Sequence, residues 1–99
     1  MKKIYLMTAT AICVVLSSQV AVAQINAKKI FNSHCQMCHA FDKKKIGPAF
    51  KDMTADSAVL KEIITNGRNI MPSWKNKLSG AEIDAMVSFI RSKQSGASK

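Results

Sequence analysis

The chain has 99 residues, 47% of them hydrophobic and 6% aromatic, and its 15 Lys and Arg against 6 Asp and Glu give a formal net charge of +9. That length excludes a multidomain enzyme with a large cleft, and the apolar share excludes a disordered chain. The basic balance points to an anionic partner, leaving nucleic acid, a membrane surface and an acidic protein face all open.

The first segment reads as an export signal. Met1-Lys2-Lys3 is a basic start, Ile4 to Leu16 is uncharged and mostly apolar, and Ala21-Val22-Ala23 places small residues where a signal peptidase would cut. The apolar run falls short of the roughly 20 residues that span a bilayer, so cleavage is favoured over a membrane anchor. Lipid attachment at Cys13 is disfavoured by the bulky Ile12 before it. Cleavage after Ala23 divides the chain into a signal peptide, 1–23, and a single domain, 24–99, of net charge +7 once Lys2 and Lys3 are gone. The expected destination is the periplasm, an oxidising compartment in which a lone cysteine pair is usually a disulfide.

The mature segment predicts three helices and no strand. Asn26 can cap a first helix whose Ala27, Ile30, Phe31 and Cys35 share a face. Residues 40–54, with the charge run Lys43-Lys44-Lys45 and the turn signal Gly47-Pro48, are expected to form a loop. A second helix is expected from Asp56 to Asn66, with Val59, Leu60, Ile63 and Ile64 as its apolar stripe and Gly67 as its terminator. After a loop over 68–78, Ser79-Gly80-Ala81-Glu82 is a capping box opening a third helix, whose inner face is Ile83, Met86, Val87 and Ile90. Residues 95–99 are expected to fray. Three short helices in so small a domain bury little apolar surface, and such domains often need a metal or cofactor to complete the core.

Cys35-Gln36-Met37-Cys38-His39 supplies the candidate chemistry. It is the C-x-x-C-H signature of covalent haem attachment: two thiols three positions apart can each add to a vinyl group of one haem, and the following histidine can turn onto its iron. A thioredoxin-type dithiol would need a preceding strand, and a zinc site would need a second ligand pair downstream of His34 and His39; the sequence offers neither. For the other face of the iron, His34 lies too close to the attached edge, Met37 is inside the motif, and Met53 and Met86 read as packing residues. Met71, in a loop stiffened by Pro72, is the favoured second ligand.

The order of Phe31, the C-x-x-C-H motif, Gly47-Pro48-Ala49-Phe50, Asn66-Gly67-Arg68-Asn69-Ile70-Met71-Pro72-Ser73-Trp74 and a final amphipathic helix resembles the small bacterial monohaem class I cytochromes c. The resemblance implies an all-α fold of three to four short helices wrapped around one covalent haem c. It implies thioethers at Cys35 and Cys38, axial ligation by His39 and Met71, and a Pro48 carbonyl accepting from the outer nitrogen of His39. Phe31 would sit at the crossing of the first and last helices, against Phe89 or Ile90. Ala27 stands where the family usually has glycine at that crossing. Trp74 would close the pocket, and Trp74 and Arg68 are candidates for propionate contacts.

The function implied is one-electron, outer-sphere transfer between periplasmic redox proteins by a monomer, and not catalysis. A haem c sensor or ligand binder, or a haem subunit of a larger redox enzyme, is the alternative. Lys43, Lys44, Lys45, Lys51, Lys75 and Lys77 flank the haem-bearing segments and suit a redox partner with an acidic face. Nucleic-acid binding is not expected, since no recognition motif or stacking aromatics accompany the charge.

Overall fold

A computed structural model describes residues 25–97, with side chains up to Gln94; the expected signal peptide, 1–23, lies outside the described residues. Helix α1 (Ala27–Ile30) starts at Asn26, whose side chain accepts from the Lys29 amide at 3.0 Å. It runs on without a break into a π-helical turn, Phe31–Cys35, closed by the Gln36 amide on the Phe31 carbonyl at 2.9 Å. Helix α2 spans Ser57–Asn66, and Asp56 Oδ1 caps it by accepting from the amides of Ala58 and Val59. Gly67 ends α2 at φ 82°, in the left-handed region where a side chain is strained. Helix α3 spans Gly80–Ala97. Its capping box is reciprocal: the Ser79 amide donates to Glu82 Oε1 at 2.8 Å and the Glu82 amide donates to Ser79 Oγ at 3.0 Å.

Two expectations need correcting. The 40–54 segment is not wholly irregular, because Phe50–Asp52 forms a 3₁₀ turn. Phe50 buries its ring there, and Gln94 Nε2 ties the carbonyls of Phe50, Met53 and Thr54 to α3 at 3.0–3.1 Å. The end of the chain also stays helical further than expected, since α3 continues through Ala97. No strand occurs among the described residues; the nearest to one is an isolated antiparallel bridge between Arg68 and Met71. None of their helices is long and apolar enough to cross a membrane.

The core lies where α1, the 3₁₀ turn and α2 meet α3. Leu60 and Ile64 of α2 pack with Ile83, Met86, Val87 and Ile90 of α3. Phe31 sits within 5.9 Å of Phe89, 5.3 Å of Phe50 and 5.0 Å of Phe41, measured between ring centres. The rings are tilted or edge-on, as their quadrupoles prefer. This aromatic knot joins the first helix to the last and brings the C-x-x-C-H segment alongside the loops that follow it.

Candidate functional site

One cavity of about 620 Å³ opens between the C-x-x-C-H segment, the 46–54 loop, α2 and the 68–74 loop. Such a volume is in the range of cofactor and ligand sites, roughly 300–1,000 Å³. Cys35, Cys38, His39, Pro48, Arg68, Met71 and Trp74 all line it. The cysteines are free thiols and half-buried. Burial, and secondarily the neighbouring Cys38, pushes the Cys35 thiol up to about 11 from an ordinary 9.0, so it is protonated at neutral pH.

The turn after α1 aims the motif. The amides of Cys38 and His39 both donate to the Cys35 carbonyl, at 3.1 and 3.0 Å, and the Gly47 amide donates to the Cys38 carbonyl at 2.7 Å. Lys45 Nζ reaches back to the Gln36 carbonyl. These bonds lay the 45–48 segment against His39. Its Nδ1 stands 2.8 Å from the Pro48 carbonyl oxygen and donates to it when protonated there. Nε2 has no hydrogen-bond partner among the described residues. A carbonyl on one ring nitrogen fixes the tautomer that leaves the other with a lone pair for a metal.

Gly47 is a site residue that the sequence did not single out. A Cβ built there would lie 2.8 Å from Nδ1 and 3.0 Å from Nε2 of His39, and closer still to Cε1. The backbone can approach the imidazole this closely only without a side chain.

The opposite wall comes from α2 and the loop beyond it. Leu60 and Ile64 are buried, but Val59, on the same helix, is 42% exposed and lines the cavity with Ile63. All four residues of the expected stripe line the cavity, and Leu60 and Ile64 are packed in the protein core as well. Met86 does both jobs, being 2% exposed and also part of the lining; Met53, read from sequence as packing, lines it too. Met71 is half-buried, and its loop is closed by Arg68 N to Met71 O at 3.0 Å and Met71 N to Arg68 O at 2.9 Å. Asn69, at φ 57°, makes the turn between them.

At the rim, Ile46 and Ile70 are 60% and 80% exposed. Trp74 is half-buried, with His34 at 5.1 Å between ring centres and Lys77 Nζ 5.6 Å from its own. His34 lines the cavity edge and is otherwise exposed. The six flanking lysines are all exposed; Lys51 lies 3.4 Å from Asp52, itself a lining residue.

A flat apolar cofactor anchored through two thiols fits these residues. A family profile described as cytochrome c oxidase, cbb3-type, subunit III matches residues 23–90, more than half of the chain. The chain belongs to the cytochrome c family. Among curated cytochromes c, it is 31% identical over 100 residues to cytochrome c6 of Porphyra purpurea, covering 88% of each. It is 33% identical over 78 residues to cytochrome c6 of Anabaena variabilis, covering 70% of this chain and 90% of that one. In fold it is similar to the crystal structure of cytochrome c6 from the diatom Phaeodactylum tricornutum, with a TM-score of 0.61 and 24% identity over 71% of this chain and 92% of the other. Cytochromes c of this kind carry one covalently attached haem c with iron, and the chain is a haem c electron carrier.

Proposed function

We propose that residues 1–23 are removed on export and that residues 24–99 work in the periplasm as a monomeric one-electron carrier. Cys35 and Cys38 would hold the haem as thioethers, and His39 and Met71 would ligate its iron. The observation that carries this assignment is the His39 ring, with Nδ1 on the Pro48 carbonyl at 2.8 Å and Nε2 unpartnered, on a cavity lined by two free thiols and Met71. When bound, the haem supplies a one-electron change of oxidation state at its iron. The chain's own residues do the rest. Pro48 fixes the histidine ring, and Phe50, Leu60, Ile64, Met86 and Ile90 exclude water from the inner wall. The methionine sulfur favours the reduced form relative to stronger donors. With His39 and Met71 both committed to the iron, it would offer small substrates no open site, so the chain would act as an electron carrier and not as an enzyme.

The basic rim suits a redox partner with an acidic face, and the position of Trp74 and Arg68 on the cavity lining supports a role for them in contacts with the haem propionates. Attraction of this kind raises the association rate and weakens with salt. The partner reaction is expected to slow as ionic strength rises; a salt-independent rate removes the steering role of Lys43, Lys44, Lys45, Lys75 and Lys77.

The match to the cytochrome c oxidase, cbb3-type, subunit III family favours a second reading, a haem subunit of a larger oxidase. The curated cytochromes c6, which align over most of their own length, favour the free carrier. Mass spectrometry, an absorption spectrum and gel filtration of the periplasmic fraction separate the two. A monomer of residues 24–99 plus one haem, with a methionine-to-iron charge-transfer band that Met71→Ala abolishes, is the expected result. A chain retaining residues 1–23, or one eluting only with a large complex, refutes the corresponding part.

A further inference from the structure

The segment carrying Met71 is built onto the end of α2. The last carbonyls of that helix have no partners within it and must find them elsewhere. The loop supplies these partners in order: the Gly67 amide donates to the Ile63 carbonyl at 2.7 Å, Trp74 to Ile64 at 3.0 Å, and Lys75 to Thr65 at 3.2 Å. A side chain adds to this set. Ser73 Oγ donates to the Thr65 carbonyl at 2.6 Å in a part-buried setting and stands 3.4 Å from the Lys75 amide. The loop also folds tightly on itself, since a Cβ at Gly67 would lie 2.7 Å from the Met71 oxygen and 2.8 Å from the Ser73 nitrogen.

We infer that Ser73 is a positioning residue for Met71, its hydroxyl latching the chain just beyond the methionine onto the Thr65 carbonyl and so limiting how often Met71 leaves the cavity. The inference rests on the reading of Met71 as an axial ligand. Only Pro72 separates the two residues, and its φ is fixed by its ring. Few soft torsions therefore lie between the latch and the methionine, and Ser73 cannot lift from α2 without carrying the backbone of Met71 with it. Opening the latch removes one of the two donors on the Thr65 carbonyl, leaving the Lys75 amide at 3.2 Å, and the loss of that hydrogen bond opposes the movement.

The holoprotein tests this with imidazole as the probe. Imidazole reaches the ferric iron only in molecules whose Met71 has moved away, so its apparent dissociation constant scales inversely with that open fraction. Ser73→Ala is expected to tighten apparent imidazole binding by about fivefold to tenfold, the weight of one hydrogen bond. Ser73→Thr, which keeps the hydroxyl, is expected to match the wild type. Ser92→Ala is the control: it removes a similar bond, Ser92 Oγ to the Phe89 carbonyl at 2.7 Å, from α3. It is expected to leave the constant unchanged. A Ser73→Ala value within twofold of wild type, or an equal shift in Ser92→Ala, overturns the latch while the ligation reading stands. Absence of the methionine-to-iron band in the wild type overturns both together. In the wild type alone, saturating imidazole is expected to speed hydrogen exchange at the Trp74 and Lys75 amides; unchanged exchange there also overturns the latch.

Discussion

Gly47→Ala should be far more damaging than a methyl group usually is. The new Cβ would stand 2.8 Å from His39 Nδ1, whereas ordinary contact begins at 3.4 Å, so ring and backbone must separate by at least 0.6 Å. The ring cannot move freely, because Nδ1 is bonded at 2.8 Å to the carbonyl of Pro48, the residue adjoining the new methyl. Retreat by the backbone stretches that bond towards 3.4 Å, beyond useful geometry. Overpacking of this kind costs about 1–3 kcal/mol, and the weakened hydrogen bond adds about 1 kcal/mol. With 4–8 °C lost per kcal/mol in a domain of this size, the melting temperature should fall by roughly 10 °C or more. Gly80→Ala is the matched comparison, because nothing lies within 4 Å of a Cβ there. It should be neutral or gain a few tenths of a kcal/mol, as alanine does in helices. Thermal denaturation of both ferric holoproteins, followed at the haem absorption, makes the comparison. If Gly47→Ala melts within about 2 °C of wild type with an unchanged spectrum, the close approach of Gly47 to His39 does not constrain the ligand.

Gln94→Leu removes the donor that the Phe50, Met53 and Thr54 carbonyls share; a loss of about 2 kcal/mol in urea unfolding is expected, together with faster proteolysis within residues 50–54. Ser79→Ala breaks one half of the α3 capping box and should cost about 1 kcal/mol in the same assay. In the haem-free chain, the folded state holds the Cys35 proton more tightly than the unfolded state, with values of about 11 against 9.0. That contribution is complete below the lower value and is lost as pH rises through the higher one, so the urea midpoint should fall across this window and Cys35→Ala should flatten the fall.

Local signals were the readable part of this sequence. Asn26, Asp56, Gly67 and the Ser79–Glu82 box each act within a few residues of themselves, and the structure places a helix end at each. The C-x-x-C-H spacing is equally local, and Gly47-Pro48 was visible as a turn. What the turn is for was not visible. The clash that excludes a side chain at Gly47 is with His39, eight positions earlier, and appears only once the loop has folded back. Gln94 reads as one more polar residue near a chain end, because its three acceptors lie 40 to 44 positions away. The double duty of the α2 stripe was hidden for another reason. Periodicity marks apolar positions but cannot say whether protein or cofactor will cover them.

The position of α2 between core and cavity carries a consequence for its stability. Val59, Leu60, Ile63 and Ile64 of α2 all line the cavity, and Leu60 and Ile64 also pack against α3. All four thus present apolar surface to the cavity, and only Leu60 and Ile64 are also held in the protein core. A ten-residue helix is marginal in water without tertiary contacts. The element that carries the Met71 loop on its end is accordingly the one that a filled cavity would stabilise most. On the proposed reading, the open side leaves both thiols within reach of the incoming group, and the Met71 loop would close over that group once it is in place.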